Sequence, residues 1–451
     1  MGRRDRFWAS LLLATLAWMT GCDSNQFGQS GQPEKLTFWT PEVEPDRLAI
    51  QTTLTERFTA ETGIEVEVAP IEEGELASRI VAAAAADALP DVLFLPLDLV
   101  ITLSENGILD TEAATAAIAA LGQETFAAGP LSLVAVEDKF AAVPTDGWGQ
   151  LLLYRQDWFA DNNLAEPNTW EAILTAAQTL HNAPELWSIE VGTDPTQTYT
   201  QQVFEQFALS NNCRLVDASG EVNLNTPQCV AVLDFYKQLA SDYSPPGDIY
   251  WLQTRQDFQA GDTSMIIWSP FILDEVAGLR DDAPVTAELN PPLHERVGIV
   301  TAFAGPDSSP VQWGQVNYLG IAAGASADAR RLVEFILAEE NYLDWLAMAP
   351  EGKFPLRPQF VDGWRQLEIG VDRKAKVTDL YSDQVIDILI SGVDNFDRWG
   401  FAAGKGACVG SIYGTQTVTQ ILRRYLDGEI ETAADAAQQM TESIQRLEGC
   451  S

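Results

Sequence analysis

The chain alternates short runs of period-two apolar residues with longer stretches whose apolar residues recur every three or four positions. Leu36-Thr37-Phe38-Trp39 reads as a strand that ends at Pro41. Over residues 46–61, Leu48, Ile50, Leu54 and Phe58 mark one face of a helix, and Gly63 suits the left-handed residue that stops it. Ile64-Glu65-Val66-Glu67-Val68 alternates as a half-buried strand does. An alanine-rich helix is expected over 72–87, a short apolar strand over 91–95, and a helix from there to Asn106-Gly107. This order builds a parallel sheet covered by helices, because parallel strands must be joined by crossovers.

The pattern continues less regularly. Strands are expected at Phe140–Val143, ending at Pro144, then at 151–154, 264–268, 297–301 and 318–322. Thr169 is placed to cap a helix that begins at Trp170. Further helices are expected over 198–209, 227–240 and 326–347, and 376–446 reads as mostly helical. No internal repeat or heptad run interrupts this α/β alternation.

The first residues follow another logic. Arg3, Arg4 and Arg6 precede an apolar run from Phe7 to Met19, and Thr20-Gly21 leads into Cys22. A basic start, a short apolar run and small residues make an export signal rather than structure. The cysteine in that place is similar to the lipobox of bacterial lipoproteins, in which Cys22 would carry lipid after removal of residues 1–21. The alternative is an ordinary signal peptide cut near Gly21. Residues 22–35 are polar, with Phe27 as their one aromatic residue, and read as a flexible tether. Beyond residue 22 no apolar run is long enough to span a bilayer. The chain is therefore expected to be exported and lipid-anchored, facing the periplasm.

Charge narrows the partners. A formal net charge of −38 disfavours nucleic acid and disfavours a surface that adheres to anionic lipid. Of five cysteines, Cys22 is set aside, leaving an even number in an exported chain. Cys213 with Cys229 and Cys408 with Cys450 is the expected pairing, one of three possible. The two histidines, His181 and His294, are far apart, and no Cys/His set has zinc spacing, so neither metal nor cofactor is expected.

Several segments, in order, carry a resemblance. They begin with Leu36-Thr37-Phe38-Trp39, Thr62-Gly63-Ile64-Glu65-Val66 and Leu89-Pro90-Asp91-Val92. They continue with Pro144 and Leu153-Tyr154-Arg155-Gln156-Asp157, then Pro167-Asn168-Thr169-Trp170-Glu171. Glu221 to Pro227, Asp257 to Met265 and Glu351 to Arg357 complete the set. Together they resemble the extracellular solute-binding proteins of ABC importers, in the sugar-binding group that includes maltose-binding protein. The resemblance implies the two-lobed, type II periplasmic-binding-protein fold, with hinge strands and a ligand cleft between the lobes. It implies lobes at 36–143 plus 299–348 and 144–298 plus 349–451, with crossings near Ala141–Pro144, Val297–Thr301 and Ala347–Gly352. It also implies a monomer that delivers a small neutral sugar or glycoside to permease subunits.

Sugars present apolar ring faces and hydroxyl edges, so aromatic side chains with carboxylates and amides suit them. Family position brings Glu42, Glu44 and Asp98 to the cleft, and Trp148 and Gln150 just past the first crossing. Tyr199, Trp251, Trp268, Phe271 and Trp313 are candidate walls, with Trp399 and Tyr413 as a last one. Arg357 is a candidate hydroxyl donor or hinge brace. Tryptophan is more often core than platform, and Trp158, Trp170, Trp187, Trp345 and Trp364 are read as packing. Trp148 stands where maltose-binding protein has an acidic residue, which disfavours maltose. The competing reading is an exported glycoside hydrolase, which needs two carboxylates across a sugar site. A metal carrier is disfavoured by the scarcity of histidine.

Overall fold

The computed structural model describes residues 35–287 and 289–450. The expected signal segment, Cys22 and all but the last residue of the tether lie outside the described residues. In chain order the strands are β1 Lys35–Thr40, β2 Glu65–Pro70, β3 Val92–Pro96, β4 Ala135–Val136, β5 Lys139–Phe140 and β6 Val143–Gly149. They continue with β7 Leu151–Arg155, β8 Met265–Trp268, β9 Val297–Val300, β10 Gly314–Ile321 and β11 Phe354–Pro355. Six of them form one sheet in the order β11-β6-β10-β3-β1-β2. Three form a second sheet, β8-β7-β9, with both pairings antiparallel.

The first sheet begins as the apolar pattern dictates. β1 pairs in parallel with β2 and β3, with helices Pro45–Thr62 and Glu73–Ala85 as the crossovers. Gly63 ends the first helix at φ 77°, a conformation that suits glycine because it has no Cβ. β10 and β6 then add antiparallel strands, so a parallel half is extended by an antiparallel one. Phe38, Phe94, Tyr318 and Trp345 fill the core, and the Phe94 and Trp345 rings meet edge to face at 5.0 Å.

Pro144 does not end a strand, as expected, but lies inside β6. A register shift opposite Asn317 and Tyr318 accommodates it, and Thr145 Oγ1 donates to the Asn317 carbonyl at 3.0 Å. Proline lacks an N–H, so a sheet tolerates it at such an irregularity. The expected helix 326–347 is two helices, Ala327–Ile336 and Glu339–Leu346. At the break, the Phe335 carbonyl accepts from Asn341 Nδ2 at 2.8 Å and the Leu337 carbonyl from Arg357 Nη1 at 2.6 Å.

The strand hydrogen bonds also move the first change of sheet. β6 belongs wholly to the six-stranded sheet and β7 to the three-stranded one, so the chain changes sheet over Gln150 rather than at Ala141–Pro144. The return falls between β9 and β10. β11 and helix Asp383–Asn395 lie with the first sheet, although both follow residue 349. Helices Thr417–Leu426 and Ala433–Ile444 pack instead on Pro227–Asp242, beside the second sheet. Disulfides join Cys213 to Cys229 and Cys408 to Cys450, the expected pairing. Among the described residues, no helix is long and apolar enough to cross a membrane.

Candidate functional site

β3 runs directly into helix Leu97–Glu105, which places Asp98 in the first helical turn at the carboxyl edge of the parallel strands. Open α/β sheets present their ligand crevices at that edge. Helix Gly406–Thr415 packs against this helix at very close range. A Cβ on Gly410 would lie 2.5 Å from the Asp98 carbonyl and 2.3 Å from Thr102 Oγ1. Asp98 pairs with the buried Arg398, which also donates to Gln315 Oε1 at 2.6 Å. The same guanidinium reaches Glu205 at 3.3 Å, and Tyr413 donates to the other oxygen of Glu205 at 2.8 Å. Helix Thr198–Ser210 carries Glu205, so the triad ties both sheets to the C-terminal segment.

Glu42 follows β1 and is nearly buried. Its carboxylate meets Lys353 at 2.7 Å and Arg47 at 3.0 Å. Burial alone would raise its pKa, but Lys353 and Arg47 outweigh burial and hold it at about 2. Lys353 also sits 3.5 Å from Asp146, whose other oxygen accepts from Trp345 Nε1. Glu73 has no counterpart among the expected site residues. Surrounding protein, then the Asp98 and Glu42 carboxylates, push its carboxyl up to about 7, although the residue is exposed. At so open a position water weakens both the desolvation and the push of the two carboxylates, each of which is itself paired with a cation.

Aromatic side chains gather on both sides of Gln150. Before it, the Trp148 ring lies 5.3 Å from Trp313 and 6.3 Å from Phe271. After it, β7 pairs Leu151 with Trp268, whose ring lies 5.2 Å from Tyr199 and 6.5 Å from Trp251. Trp251 is 42% exposed and forms the open end of this second group. Trp313 is fully buried under the Arg398 guanidinium at 4.4 Å, so it is a floor rather than a platform.

A second ionic cluster centres on Arg280. Arg280 holds Asp282 at 2.9 Å and approaches Asp274 at 3.9 Å, Asp46 at 3.8 Å and Glu44 at 4.0 Å. Glu44 therefore borders this cluster at the surface. Burial raises Asp274 to about 6 against the pull of Arg280 and Arg47, and burial, then the Asp274 carboxylate, raises Glu351 well above the carboxylate range. Asp274 Oδ1 and Glu351 Oε2 are buried without a hydrogen-bond partner.

Two expected site residues serve the core instead. Arg357 donates to the Leu337 and Leu121 carbonyls and to Thr125 Oγ1, so its donors brace helix ends. Trp399 is buried against Phe204, and its Nε1 donates to the Cys213 carbonyl at 2.8 Å. Its neighbouring glycine suggested a loop wall, but the Cys213–Cys229 disulfide region folds over it. Residues not singled out include Gln201, Arg398, Asp274, Arg280 and Glu351. Gln201 carried no distinguishing signal, because its helix holds Thr200, Gln202, Glu205 and Gln206 beside it.

The family profile described as bacterial extracellular solute-binding protein matches residues 53–367. Over 441 residues the chain is 27% identical to the putative ABC transporter periplasmic-binding protein YcjN of Escherichia coli K12, covering 93% of this chain and 97% of that one. Maltose-bound MalE3 of T. maritima superposes with a TM-score of 0.73 at 20% identity, over 91% of this chain and 99% of that one. A ribitol-bound solute-binding protein of Agrobacterium radiobacter K84 gives 0.70 at 19% identity, over 92% and 100%. These two structures establish the two-lobed architecture, and the family is one of binding proteins rather than enzymes. The chain belongs to the bacterial extracellular solute-binding proteins.

Proposed function

We propose that this chain is the lipid-anchored capture protein of an ABC importer and binds a neutral sugar or glycoside. Candidate ligands are disaccharides such as trehalose or sucrose and osmolytes such as glucosylglycerol. One lobe is built on the six-stranded sheet and the other on the three-stranded sheet, and ligand is held as they close about Gln150. The observation that carries the reading is the pair of aromatic groups flanking that residue, with Asp98 and Glu42 at the adjoining strand ends. Ring faces would stack on Trp148 and Trp268, and carboxylates would accept from hydroxyls. Arg398, Arg47 and Lys353 are each engaged by carboxylates, which disfavours a phosphorylated ligand. The printed names of the relatives, with an ABC transporter, maltose and ribitol among them, support this direction. A monomer suits such a shuttle, and Cys22 would supply the anchor.

The test is a thermal-shift screen of trehalose, sucrose, glucosylglycerol and ribitol on the purified chain, followed by tryptophan fluorescence. Ligand stabilises the folded state by mass action, so a binder raises the melting temperature and perturbs emission. Trp268→Ala should abolish most of the affinity and keep the fold. Retained affinity would remove Trp268 from the site, and a panel without any binder would sink the sugar reading.

A further inference from the structure

Two carboxyl groups are buried where a segment from each sheet meets the other: Asp274 is 2% exposed and Glu351 3%. Asp274 lies on the short helix Leu273–Val276 that follows β8 of the three-stranded sheet. Glu351 lies between helix Glu339–Leu346 and β11 of the six-stranded one. The two segments touch. A Cβ on Gly352 would lie 2.3 Å from Phe271 Cδ1, and Phe271 stands three residues before Asp274. The Arg47 guanidinium lies over the same ring at 4.8 Å. Neither Asp274 Oδ1 nor Glu351 Oε2 meets a protein donor.

The cations around them are already engaged. Arg47 donates to Glu42 at 3.0 Å, and Lys353 holds that same carboxylate at 2.7 Å. Arg280 grips Asp282 at 2.9 Å and stays 3.9 Å from Asp274, with Asp46 at 3.8 Å and Glu44 at 4.0 Å also drawing on it. Glu275, next to Asp274, is held by Arg255 at 3.0 Å and Gln259 at 2.9 Å. Tyr381 faces both carboxyls, but its hydroxyl donates to the Leu273 carbonyl at 2.7 Å. His294 lies beyond Tyr381, with 6.4 Å between the rings. Of the charges around Glu351, that of Asp274 acts on it most strongly. A buried carboxylate without a donor is costly, and the group avoids that cost by keeping its proton.

We propose that Asp274 and Glu351 act as one proton-retaining pair that fastens the two sides of the protein in acid and loosens them as pH rises. In a two-lobed binding protein the sides part and rejoin by hinge motion. With the sides together, the pair retains one proton, since like charges in one buried region do not both ionise. With the sides apart, water reaches both groups, and each ionises as an ordinary carboxylic acid. Joining the sides therefore takes up a proton, and by linkage acid favours the joined arrangement. The stabilisation is complete below the ordinary values of 3.8 for Asp274 and 4.5 for Glu351, and it is lost as pH rises through the raised ones. This device concerns the two sides alone and goes beyond solute capture.

Two measurements on the unliganded full chain test it, each made between about pH 5 and about pH 8. The variants are Glu351→Gln and Asp274→Asn, which imitate the protonated carboxyl at almost the same size. Small-angle X-ray scattering should show the native chain expanding as pH rises, Glu351→Gln staying compact throughout, and Asp274→Asn responding less than the native chain. In urea, the folded-to-unfolded ratio of Glu351→Gln should rise relative to the native chain by about tenfold or more over that range, since one proton is worth up to about tenfold per pH unit. His294→Gln alters another group that titrates nearby and should respond as the native chain does. An equal response of the native chain and Glu351→Gln in either measurement overturns the proposal. Loss of the response in His294→Gln also overturns it, because the proton would then belong to the imidazole. Neither measurement uses a ligand, so their failure leaves the solute-binding reading standing.

Discussion

Arg280 Nη1 lies 3.8 Å from Asp46, and this pair joins the segment leaving the three-stranded sheet to the first helix of the six-stranded one. In the proposed two-lobe arrangement the contact forms only on closure. Arg280→Gln should therefore speed ligand release, by about fivefold for a pair worth about 1 kcal/mol. Stopped-flow measurement of the dissociation rate for the best binder of the sugar panel checks this. The difference from the native chain should shrink as salt is added, because ions screen the partly open pair.

Glu42 should mark the acid limit of the six-stranded-sheet side. Its folded pKa is lowered to about 2 by Lys353 and Arg47 against burial, from an ordinary value of 4.5. A depressed carboxylate adds stability that is complete above the unfolded pKa and disappears as pH falls through the folded one. Glu42→Gln should thus cost on the order of 3 kcal/mol near neutral pH, with the gap from the native chain closing between about pH 4.5 and about pH 2. Urea unfolding of both chains across that range reads it, and a gap independent of pH would show the ion pairs to be idle.

Gly410 is required by close approach and not by its backbone angle. A methyl group there would meet the Asp98 carbonyl and Thr102 Oγ1 well inside contact distance. Gly410→Ala should destabilise by about 1–3 kcal/mol and weaken ligand binding, because the helix that presents Asp98 must shift. Chemical denaturation and titration together test it; loss of stability alone, with affinity kept, would separate Asp98 from the ligand.

The disulfide between Cys408 and Cys450 closes a 42-residue separation across helices that pack on Leu97–Glu105 and on Pro227–Asp242. Replacing both cysteines by alanine should lower stability by about 4 kcal/mol if the loop-entropy account applies. Denaturation with and without reductant measures it, and the double variant should lose its sensitivity to reduction at that bridge.

Local pattern carried much of the fold. β1, β2 and β3 were legible because their apolar alternation and their terminating residues are neighbours in sequence. The break after Ile336 was not, because Leu337 and Ala338 are good helix formers. That break is secured by Asn341 and by Arg357, which arrives from twenty residues downstream. Pro144 misled for a related reason: its tolerance depends on an irregularity opposite Asn317 that local sequence does not record. Trp148 and Trp399 look alike beside glycines, yet Trp148 joins Phe271 near the change of sheet while Trp399 lies beneath the Cys213 region. Burial by distant chain is what distinguished them.

The position of β10 bears on how the protein comes into being. This strand, Gly314–Ile321, occupies the middle of the larger sheet, between β6 and β3, yet it is made after most of the chain. Until it arrives, β1, β2 and β3 form a half-sheet whose β3 edge has open backbone groups. The later strand must close a loop of more than 200 residues to reach them, and such long-range pairing is slow and prone to aggregation. Completion of the sheet is therefore a late event in folding. A chain caught before that point presents the open edge of β3, the part of it most exposed to pairing with other chains.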